Sequence, residues 1–360
     1  MAETSPKNNI YLVVMAGGSG TRFWPKSTSK RPKQLIPFQD KAEHTRRPRS
    51  LLVQTLDRFE EWVPSNHMMI VTTESLAPAV EDQIARDVRV LAEPQGRNTA
   101  PCVYWAAREI EHLNPNGIML VMPSDHFITH MDAFTKTVQM AAERAAKHGE
   151  LVTLGVKPTR PETGYGYLKV GDPIEGECRK VEAFVEKPDA KKAEKFVSSG
   201  DYLWNGGMFV WSVKSILAAF DEYLPEYRTA WDKVSGHVGR AYPELAATSI
   251  DYAIMERAKN VVTYPLDCGW DDLGSWVSFD NRVGDLCERT DAGIALSGKV
   301  IGIDSSGTVV DAPNKLVALL GVNDLIVVEC NGAILVAHKD RAQDIRQVVD
   351  RVKKARPDLA

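Results

Sequence analysis

The 360-residue sequence lacks an apolar run of transmembrane length, so it contains no candidate membrane-spanning helix. Its first nine residues are polar and have no apolar core of the kind that a secretory signal peptide needs. Cysteine is scarce: five residues lie far apart, and none forms a Cys-x-x-Cys pair. This spacing argues against a disulfide framework or a zinc knuckle and is typical of reduced thiols. We therefore expect a cytoplasmic protein with no membrane partner.

An excess of charge of either sign is also absent. Lysine and arginine number 44 against 48 acidic residues, which leaves a formal net charge of −4. No field of the whole molecule would attract a polyanion, so we expect no nucleic-acid partner. Any phosphate binding must come from a local cluster of cations.

Such a cluster follows the first apolar run. Residues Ile10–Met15 predict a buried strand of a parallel sheet. Small residues come next, and they let backbone N–H groups face an anion without interference from a Cβ atom. The glycines are Gly17, Gly18 and Gly20, and the cations behind them are Arg22, Lys26, Lys30, Arg31 and Lys33. A strand, a glycine loop and a group of cations together predict a phosphate-binding segment.

Spacing excludes two common phosphate motifs. No glycine is followed by Lys-Ser or Lys-Thr at the offset of a P-loop. The dinucleotide fingerprint fails because Phe23 occupies its third glycine position, which disfavours an NAD-binding oxidoreductase. What remains is Gly-Gly-x-Gly-Thr-Arg followed by Pro32-Lys33-Gln34. A plain glycine turn beside a solvated basic segment is the alternative interpretation.

Strands and helices alternate through the first half of the chain. Apolar runs at 68–72, 88–92 and 118–122 predict strands, and helices are expected after Ser50, after Ser75, from the N-cap Thr99, and over 133–148. This alternation predicts an α/β fold with a doubly wound, mostly parallel, Rossmann-like sheet. Because ligands bind beyond the carboxyl ends of such strands, we expect the glycine loop, Glu93–Thr99 and Asp125 to share a crevice.

The second half is less regular. We expect strands at 151–156, 166–170, 181–185, 207–211 and 261–264, and helices at 189–198, 213–222 and 241–258. Beyond about Ala292, short β runs predict a small all-β appendage that ends in an amphipathic helix from Asp340 to Lys353. The sequence therefore predicts a first domain over residues 1–290 and an appendage over 291–360.

Carboxylates follow two of the apolar strands. Asp125, in Pro-Ser-Asp-His, could either cap the next helix or hold Mg²⁺, which one or two carboxylates bind together with substrate phosphates. A second carboxylate could come from Asp271 or Asp272. His126 and His130 are spaced i,i+4, but no Glu or Cys completes a zinc set, so we do not expect zinc.

A Glu-Lys pair and an amide end two further strands. Lys187 could bind a phosphate and Glu186 could accept sugar hydroxyls, although such a pair is usually a solvated surface feature. Asn205 can both donate and accept hydrogen bonds, as sugar recognition requires. Gly166 lies in a Gly-Tyr-Gly-Tyr turn that is either part of this group or a strand-edge turn.

These motifs, in this order, resemble those of the sugar-nucleotide pyrophosphorylases and, within them, the mannose-1-phosphate guanylyltransferase (GDP-mannose pyrophosphorylase) family. The resemblance extends over nearly the whole chain. The matching segments are Gly17–Gln34, Glu93–Pro101, Pro123–His126, Thr163–Tyr167, Phe184–Pro188, Asn205–Phe209 and Trp270–Trp276.

The resemblance implies the fold of the nucleotide-diphospho-sugar transferases with a β-helix-like appendage, a homodimer, and a role for each site residue. The phosphates of GTP would be bound by Gly17, Gly18, Gly20, Thr21, Arg22 and Lys33, and the nucleoside would lie near Arg97, Asn98 and Thr99. Mannose 1-phosphate would contact Gly166, Glu186, Lys187 and Asn205. The Mg²⁺ ion would be bound by Asp125 and Asp272. Arg22, Lys33 and Lys187 would be catalytic. The sugar phosphate, already anionic, would attack the α-phosphate in line without a general base.

The sequence departs from the family pattern at two positions that bear on the site. The segment Asp40–Arg49 is longer and more basic than the family's usual link. Asp271 stands where the family often has serine, so the choice of Asp272 over Asp271 as metal ligand depends on register with the following Leu-Gly. Alternatives to the leading interpretation are a transferase for another base or sugar 1-phosphate, and a non-catalytic regulatory subunit that binds sugar nucleotides.

Overall fold

A computed structural model describes residues 9–18, 20–38, 49–278, 288–290 and 292–360. Apart from Arg49, the basic segment Asp40–Arg49 lies outside the described residues. The chain divides into two compact units, each assembled from separated stretches. The first unit comprises Met1–Gly17, Thr55–Ser124 and Ile128–Trp270, and the second comprises Gly18–Gln54, Asp125–Phe127 and Asp271–Ala360.

A nine-stranded sheet forms the centre of the first unit. Its strands are β1 (Ile10–Met15), β4 (Met68–Thr73), β5 (Arg89–Glu93), β6 (Ile118–Pro123), β7 (Leu151–Val156), β8 (Gly166–Glu175), β9 (Cys178–Glu186), β10 (Tyr202–Ser212) and β11 (Val261–Leu266). Their order is β5-β4-β1-β6-β10-β7-β11-β9-β8, and β10 also pairs with β8. The side chains of β1, β4, β6 and β7 are almost all buried, which explains why these strands read as continuous apolar runs.

The strands β9 and β10 run opposite to the rest of this sheet. The block β5-β4-β1-β6 and the pair β7-β11 are parallel, whereas β10 pairs antiparallel with β6, β7 and β8. The predicted α/β class with a mostly parallel sheet is therefore confirmed.

Helices cover the sheet of the first unit. They are α2 (Ala77–Glu81), α3 (Thr99–Leu113), α4 (Met131–His148), α5 (Ala190–Ser199), α6 (Val213–Tyr223), α7 (Pro225–Lys233) and α8 (Val238–Ala241), and α1 (Leu51–Asp57) precedes them in the chain. The fully buried rings of Tyr104, Phe220 and Tyr227 pack edge-on or stacked where α3, α6 and α7 meet. None of the helices in the described ranges is both long and apolar enough to cross a membrane.

The prediction of one helix over residues 241–258 is wrong. A short 3₁₀ helix at Tyr242–Glu244 and a π-helix at Asp251–Met255 flank a non-helical segment. Carbonyls of this segment accept hydrogen bonds from outside it: Leu245 from Arg97 Nη1 (2.7 Å), Ala246 from the Tyr227 hydroxyl (2.5 Å) and Thr248 from the Ala100 amide (3.0 Å). Tertiary partners thus replace the bonds that a continuous helix would have made.

The second unit contains the predicted β appendage. A five-stranded sheet, ordered β12-β13-β14-β15-β16, consists of β12 (Glu288–Thr290), β13 (Gly293–Ile303), β14 (Thr308–Leu320), β15 (Leu325–Cys330) and β16 (Ala333–His338), and a small second sheet pairs β2 (Pro37–Phe38) with β3 (Arg49–Ser50). The strands β13, β14 and β15 are parallel to one another. The terminal helix α9 (Ile345–Ala355) begins after a 3₁₀ turn, and the boundary at residue 290 stays a prediction.

One apolar cluster ties the basic segment of the second unit to its C-terminal part. Phe23 and Trp24 are buried together with Trp276, Ile345 and Val349. The Trp24 indole N–H also donates to the Leu359 carbonyl oxygen at 2.7 Å. The segment that carries the cations after the glycine loop is therefore packed, through Phe23 and Trp24, into an apolar core of its own unit.

We predict that Gly155→Ala destabilises the first unit. A Cβ atom at Gly155 would lie 2.5 Å from Leu203 Cδ1 and 2.7 Å from Thr263 Oγ1, so neighbouring strands would have to shift. Overpacking of this kind costs about 1–3 kcal/mol. Urea denaturation should show a lower unfolding midpoint than for Gly96→Ala, whose new methyl group would meet only Thr73 Cγ2 at 3.9 Å. Equal midpoints for the two variants would contradict this packing.

Candidate active site

The buried ammonium group of Lys33 organises the polar residues of the second unit. Lys33 opens a 3₁₀ helix over Lys33–Leu35 and is only 5% exposed. Its Nζ lies 2.8 Å from Asp125 Oδ2 and also donates a hydrogen bond to the backbone carbonyl of Asp272. Two acidic residues that are far apart in the sequence thus meet at one cation.

A pair of backbone hydrogen bonds brings the two acidic loops together. The Phe127 amide donates to the Asp271 carbonyl at 2.9 Å, and the Asp271 amide donates to the Phe127 carbonyl at 3.0 Å. This short antiparallel bridge aligns the segment that carries Asp125 with the segment that carries Asp272.

The neighbouring carboxylates of Asp271 and Asp272 differ in environment. Asp271 is 2% exposed, and its Oδ1 accepts the Leu273 amide at 2.8 Å, which is a turn-stabilising contact. Asp272 is less buried, and its Oδ1 accepts the Gly274 amide at 3.0 Å. Arg22 Nη1 donates to the Gly274 carbonyl at 3.0 Å, so a guanidinium group lies next to this turn. Asp272 is therefore the more accessible carboxylate for a ligand.

Burial and the charge of Lys33 act in opposite directions on the pKa of Asp125. Burial by itself raises the pKa of this carboxyl, but the Lys33 ammonium, with His126 and the Lys33 hydrogen bond, outweighs it, and the pKa of Asp125 lies below its ordinary value. Asp125 is therefore ionised at neutral pH.

The glycine loop packs directly on the segment that carries Lys33. Gly20 has φ 53° and ψ 28°, in the left-handed region that favours glycine. A Cβ atom there would lie 2.5 Å from both Cβ and the backbone nitrogen of Lys33. The Gln34 amide nitrogen donates to the Gly18 carbonyl at 3.0 Å, and Thr21 begins the 3₁₀ helix Thr21–Phe23. The structure thus brings Gly18, Gly20, Arg22 and Lys33 close together.

In the first unit, three predicted sugar-phosphate residues lie in one row across three adjacent strands. Gly166 of β8 is paired in register with Glu186 of β9 on one side and with Asn205 of β10 on the other. A Cβ atom at Gly166 would lie 2.5 Å from Glu186 Oε2, so the carboxylate lies over this glycine. Only a residue without a side chain leaves room for that arrangement.

Lys187 extends this row. Its backbone has φ 44°, and its amide donates to the Tyr165 carbonyl at 3.2 Å. Its exposed Nζ lies 2.8 Å from Glu186 Oε1. The ammonium group is thus available at the surface beside the Glu186 carboxylate.

The segment predicted to contact a nucleoside precedes α3. The expected N-cap was Thr99, but Asn98 caps the helix: its side chain accepts the Thr99 amide at 2.9 Å, and its φ is 66°. The Thr99 hydroxyl accepts the Ile250 amide at 2.8 Å, and Arg97 bonds to the Leu245 carbonyl. The 97–99 segment is therefore held by residues 245–250 of the same unit.

Sequence reasoning assigned no role to Glu93, although this residue opens the Glu-Pro-Gln-Gly-Arg-Asn motif. Glu93 ends β5, is 4% exposed, and accepts a hydrogen bond from the Tyr242 hydroxyl. A Cβ atom at Gly17 would lie 3.3 Å from its Oε2. Burial raises the pKa of Glu93 to about 7, although the Tyr242 hydrogen bond acts in the opposite direction.

The predicted residues thus form two groups, one in each unit. Gly17, the 97–99 segment and the row at Gly166 belong to the first unit, and the set around Lys33 belongs to the second. That the glycine loop, Glu93–Thr99 and Asp125 share one crevice stays a prediction. Within the described ranges, no group of three or more His, Cys, Asp or Glu side chains could hold a metal ion.

A comparison with family models identifies the class of protein to which this chain belongs. A family model described as nucleotidyl transferase matches residues 11–288, and a model of the mannose-phosphate isomerase/GMP-like β-helix domain matches residues 298–352. The latter agrees with the parallel strands of the appendage.

Named relatives narrow the assignment. The chain is 37% identical over 361 residues to the xanthan biosynthesis protein XanB of Xanthomonas campestris, covering 97% of this chain and 74% of the relative. It is 34% identical over 367 residues to a mannose-1-phosphate guanylyltransferase of Escherichia coli K12, covering 96% and 74%. A solved structure from Thermus thermophilus, described as a mannose-1-phosphate geranyltransferase, superposes with a TM-score of 0.85 at 32% identity, covering 96% of this chain and 99% of the other. The chain therefore belongs to the nucleotidyl transferase family, in its mannose-1-phosphate guanylyltransferase branch.

We predict that Glu93 makes stability depend on pH. The folded chain keeps the Glu93 proton up to about pH 7, whereas an unfolded glutamate releases it near 4.5, so the free energy of unfolding falls as pH rises through that window. The shift corresponds to roughly 3 kcal/mol. Urea denaturation of Glu93→Gln and of the unchanged protein should give similar stabilities at pH 5 and a more stable variant at pH 8. A difference that is the same at both pH values would contradict the buried, protonated carboxyl.

We also predict that Gly20→Ala disrupts the Lys33 segment. Its left-handed backbone alone costs about 1 kcal/mol for a residue with a Cβ atom, and the contact with Lys33 adds to that. The thermal unfolding midpoint should fall clearly. Gly18→Ala is the matched control, because among the described residues no heavy atom beyond its chain neighbours lies within 4 Å of the place that its new methyl group would take, and its midpoint should stay near that of the unchanged protein. A tolerated Gly20→Ala would show that the loop is not packed as described.

Proposed function

We propose that this enzyme transfers GMP from GTP to mannose 1-phosphate, giving GDP-mannose and pyrophosphate. The proposal is supported by relatives named as guanylyltransferases, whose sequences match almost the whole chain. The observation that carries it is the placement of the Lys33 ammonium between Asp125 and the Asp272 turn, with Arg22 beside it. This combination of cations and carboxylates suits a triphosphate.

The cations would stabilise the charge that develops during transfer. Negative charge grows on the α-phosphate and on the departing pyrophosphate, and fixed positive groups lower the energy of that state. Arg22 can bind phosphate oxygens with two N–H groups, whereas Lys33 acts as a point charge. Backbone amides of the glycine loop would add uncharged donors. Arg97, Asn98 and Thr99 would border the nucleoside.

The row at Gly166 would bind the acceptor. Glu186 can accept sugar hydroxyls, Asn205 can do so and also donate, and the exposed Lys187 ammonium can bind the phosphate of mannose 1-phosphate. That phosphate is the nucleophile and is already anionic, so the enzyme has no proton to remove. Positioning would then provide most of the rate enhancement.

Asp125 and Asp272 are the residues that would hold Mg²⁺. Magnesium uses few protein carboxylates and completes its shell with water and substrate phosphates, so one carboxylate from each of two bridged loops fits it. Asp125 is ionised, and Asp272 is the more accessible of the two neighbouring aspartates. When bound, the ion would neutralise phosphate charge during transfer.

The remaining parts of the proposal concern the whole protein. We propose a cytoplasmic homodimer whose residues 1–290 act as the nucleotidyltransferase domain and whose residues 291–360 form an appendage. The match of separate family models to residues 11–288 and 298–352 supports this division.

The test is a substrate panel with product identification. Purified protein with Mg²⁺, GTP and mannose 1-phosphate should release pyrophosphate and form GDP-mannose, identified by mass spectrometry. Replacing GTP by ATP or UTP, or mannose 1-phosphate by glucose 1-phosphate, should reduce the rate. Lys33→Met should lower turnover at least about 100-fold, since it removes a charge that acts on the transferring phosphates.

Lys195→Met, which removes an exposed ammonium group on α5, is the matched control and should keep full activity. Absence of pyrophosphate release by the unchanged protein would refute the proposed reaction. A Lys33→Met variant with full activity would refute the role of the ammonium group.

A further inference from the structure

One carboxylate in the first unit makes a contact that the proposed mechanism does not use. Asp251 begins the π-helix Asp251–Met255 and is partly buried. Its Oδ1 accepts a hydrogen bond from Asn205 Nδ2 at 2.6 Å. Asn205 belongs to the row at Gly166, so Asp251 is hydrogen-bonded to a residue expected to contact the sugar.

The Asn205 amide is fixed at both ends. Its nitrogen donates to Asp251, and its oxygen accepts the Gly207 amide at 3.2 Å. Within the part of the chain that the structure describes, these two contacts leave one N–H and one lone pair of the side chain for a ligand, and they set the directions of both. Asp251 therefore decides which way the amide presents its donor and its acceptor.

The charge of Asp251 is not balanced by a cation in contact. Across the described residues, no Lys or Arg forms an ion pair with it, while Glu186 adds a second negative charge nearby and Lys187 a positive one. Burial raises the pKa of Asp251, and the Asn205 hydrogen bond opposes that rise. Among the described residues, the donors to this carboxylate are the Asn205 amide and the backbone N–H of Asp251 itself. A partly buried carboxylate with these two donors can accept more hydrogen bonds, and its burial is costly unless further donors reach it.

Sugar hydroxyls are such donors. Asp251, Glu186 and Asn205 present four carboxylate oxygens and an amide within one part of the first unit, and a hexose phosphate offers several hydroxyl groups. A carboxylate can accept two neighbouring hydroxyls, and hydrogen bonds to a charged acceptor discriminate more strongly than bonds to a neutral one.

We propose that Asp251 is a sugar-binding and specificity-determining residue, which accepts hydroxyl groups of the hexose 1-phosphate and orients Asn205 for the same ligand. This inference rests on the proposed function, because it takes a sugar phosphate as the acceptor. It adds a fifth residue to the four expected at this end of the site.

The segment that carries Asp251 also holds the nucleoside-binding candidates. The Ile250 amide bonds to the Thr99 hydroxyl at 2.8 Å, and the Ala100 amide bonds to the Thr248 carbonyl at 3.0 Å. The 245–251 segment thus contacts the predicted nucleoside segment through residues 245–250 and the predicted sugar residue Asn205 through Asp251. Substitution of the Asp251 side chain leaves those backbone contacts in place, so an effect on the sugar can be separated from an effect on GTP.

The decisive variant is Asp251→Asn. It keeps an oxygen that can accept from Asn205 but removes the charge, so a residue that only orients Asn205 would tolerate it. We expect KM for mannose 1-phosphate to rise at least about tenfold while KM for GTP changes less than about twofold. Calorimetric titration with mannose 1-phosphate should show the same loss of affinity. A KM for mannose 1-phosphate within about twofold of the unchanged protein would overturn the proposal.

Deoxy analogues identify the interaction itself. The unchanged protein should lose at least about tenfold in kcat/KM with one of the 2-, 3- or 4-deoxy derivatives of mannose 1-phosphate, and Asp251→Asn should show little further loss with that derivative. Equal losses in both proteins for every derivative would mean that Asp251 contacts no hydroxyl group. Asp251→Glu, which keeps the charge but moves it by one methylene, takes the place of Asp251→Asn if the latter does not fold by circular dichroism.

Asp232→Asn is the matched control, because this carboxylate on α7 is 57% exposed and lies 3.8 Å from Arg108. It should keep both KM values. The two proposals fail differently: an unchanged protein that forms no GDP-mannose refutes the reaction, whereas an active protein with a normal Asp251→Asn variant refutes only the role of Asp251.

Discussion

The second unit depends on the placement of one ammonium group. Lys33 is almost fully buried, and a buried cation is stable only where acceptors surround it. Asp125 and the Asp272 carbonyl supply these acceptors, and they come from two loops far apart in the sequence. The glycine loop can approach this cation closely because Gly20 has no Cβ atom. The position of Lys33 is therefore set both by its acceptors and by the close approach of the glycine loop.

The first unit builds its polar row by strand register instead of by charge. Glu186, Gly166 and Asn205 lie on three adjacent strands and face one another because β8 pairs with both β9 and β10. A shift of one residue in either ladder would turn one of these side chains to the other face of the sheet. The hydrogen-bonded sheet thus holds the sugar-binding candidates, and the neighbouring Asp251 fixes the amide at the end of the row.

Several features of the chain could be predicted from local pattern. The strands β1, β4, β6 and β7 are buried on both faces, so each appears as a continuous apolar run. The motifs that resemble the family are short and contiguous, and they identified most of the candidate residues. The predicted helix over 241–258 failed because the carbonyls of Leu245, Ala246 and Thr248 find partners outside the segment. The capping role fell to Asn98 instead of Thr99, since Asn98 tolerates the positive φ that the turn requires.

The sequence by itself determined the α/β class, the glycine loop with its cations, and the family, because these depend on hydrophobic pattern and on contiguous motifs. Tertiary structure decided which carboxylates and amides meet. Asn205 and Asp251 are 46 positions apart, and Lys33 and Asp272 are 239 apart, so no local pattern pairs them. It also decided that Asp271 is buried in a turn while its neighbour Asp272 is more accessible. Such choices depend on how separate segments pack, and folding alone brings those segments into contact.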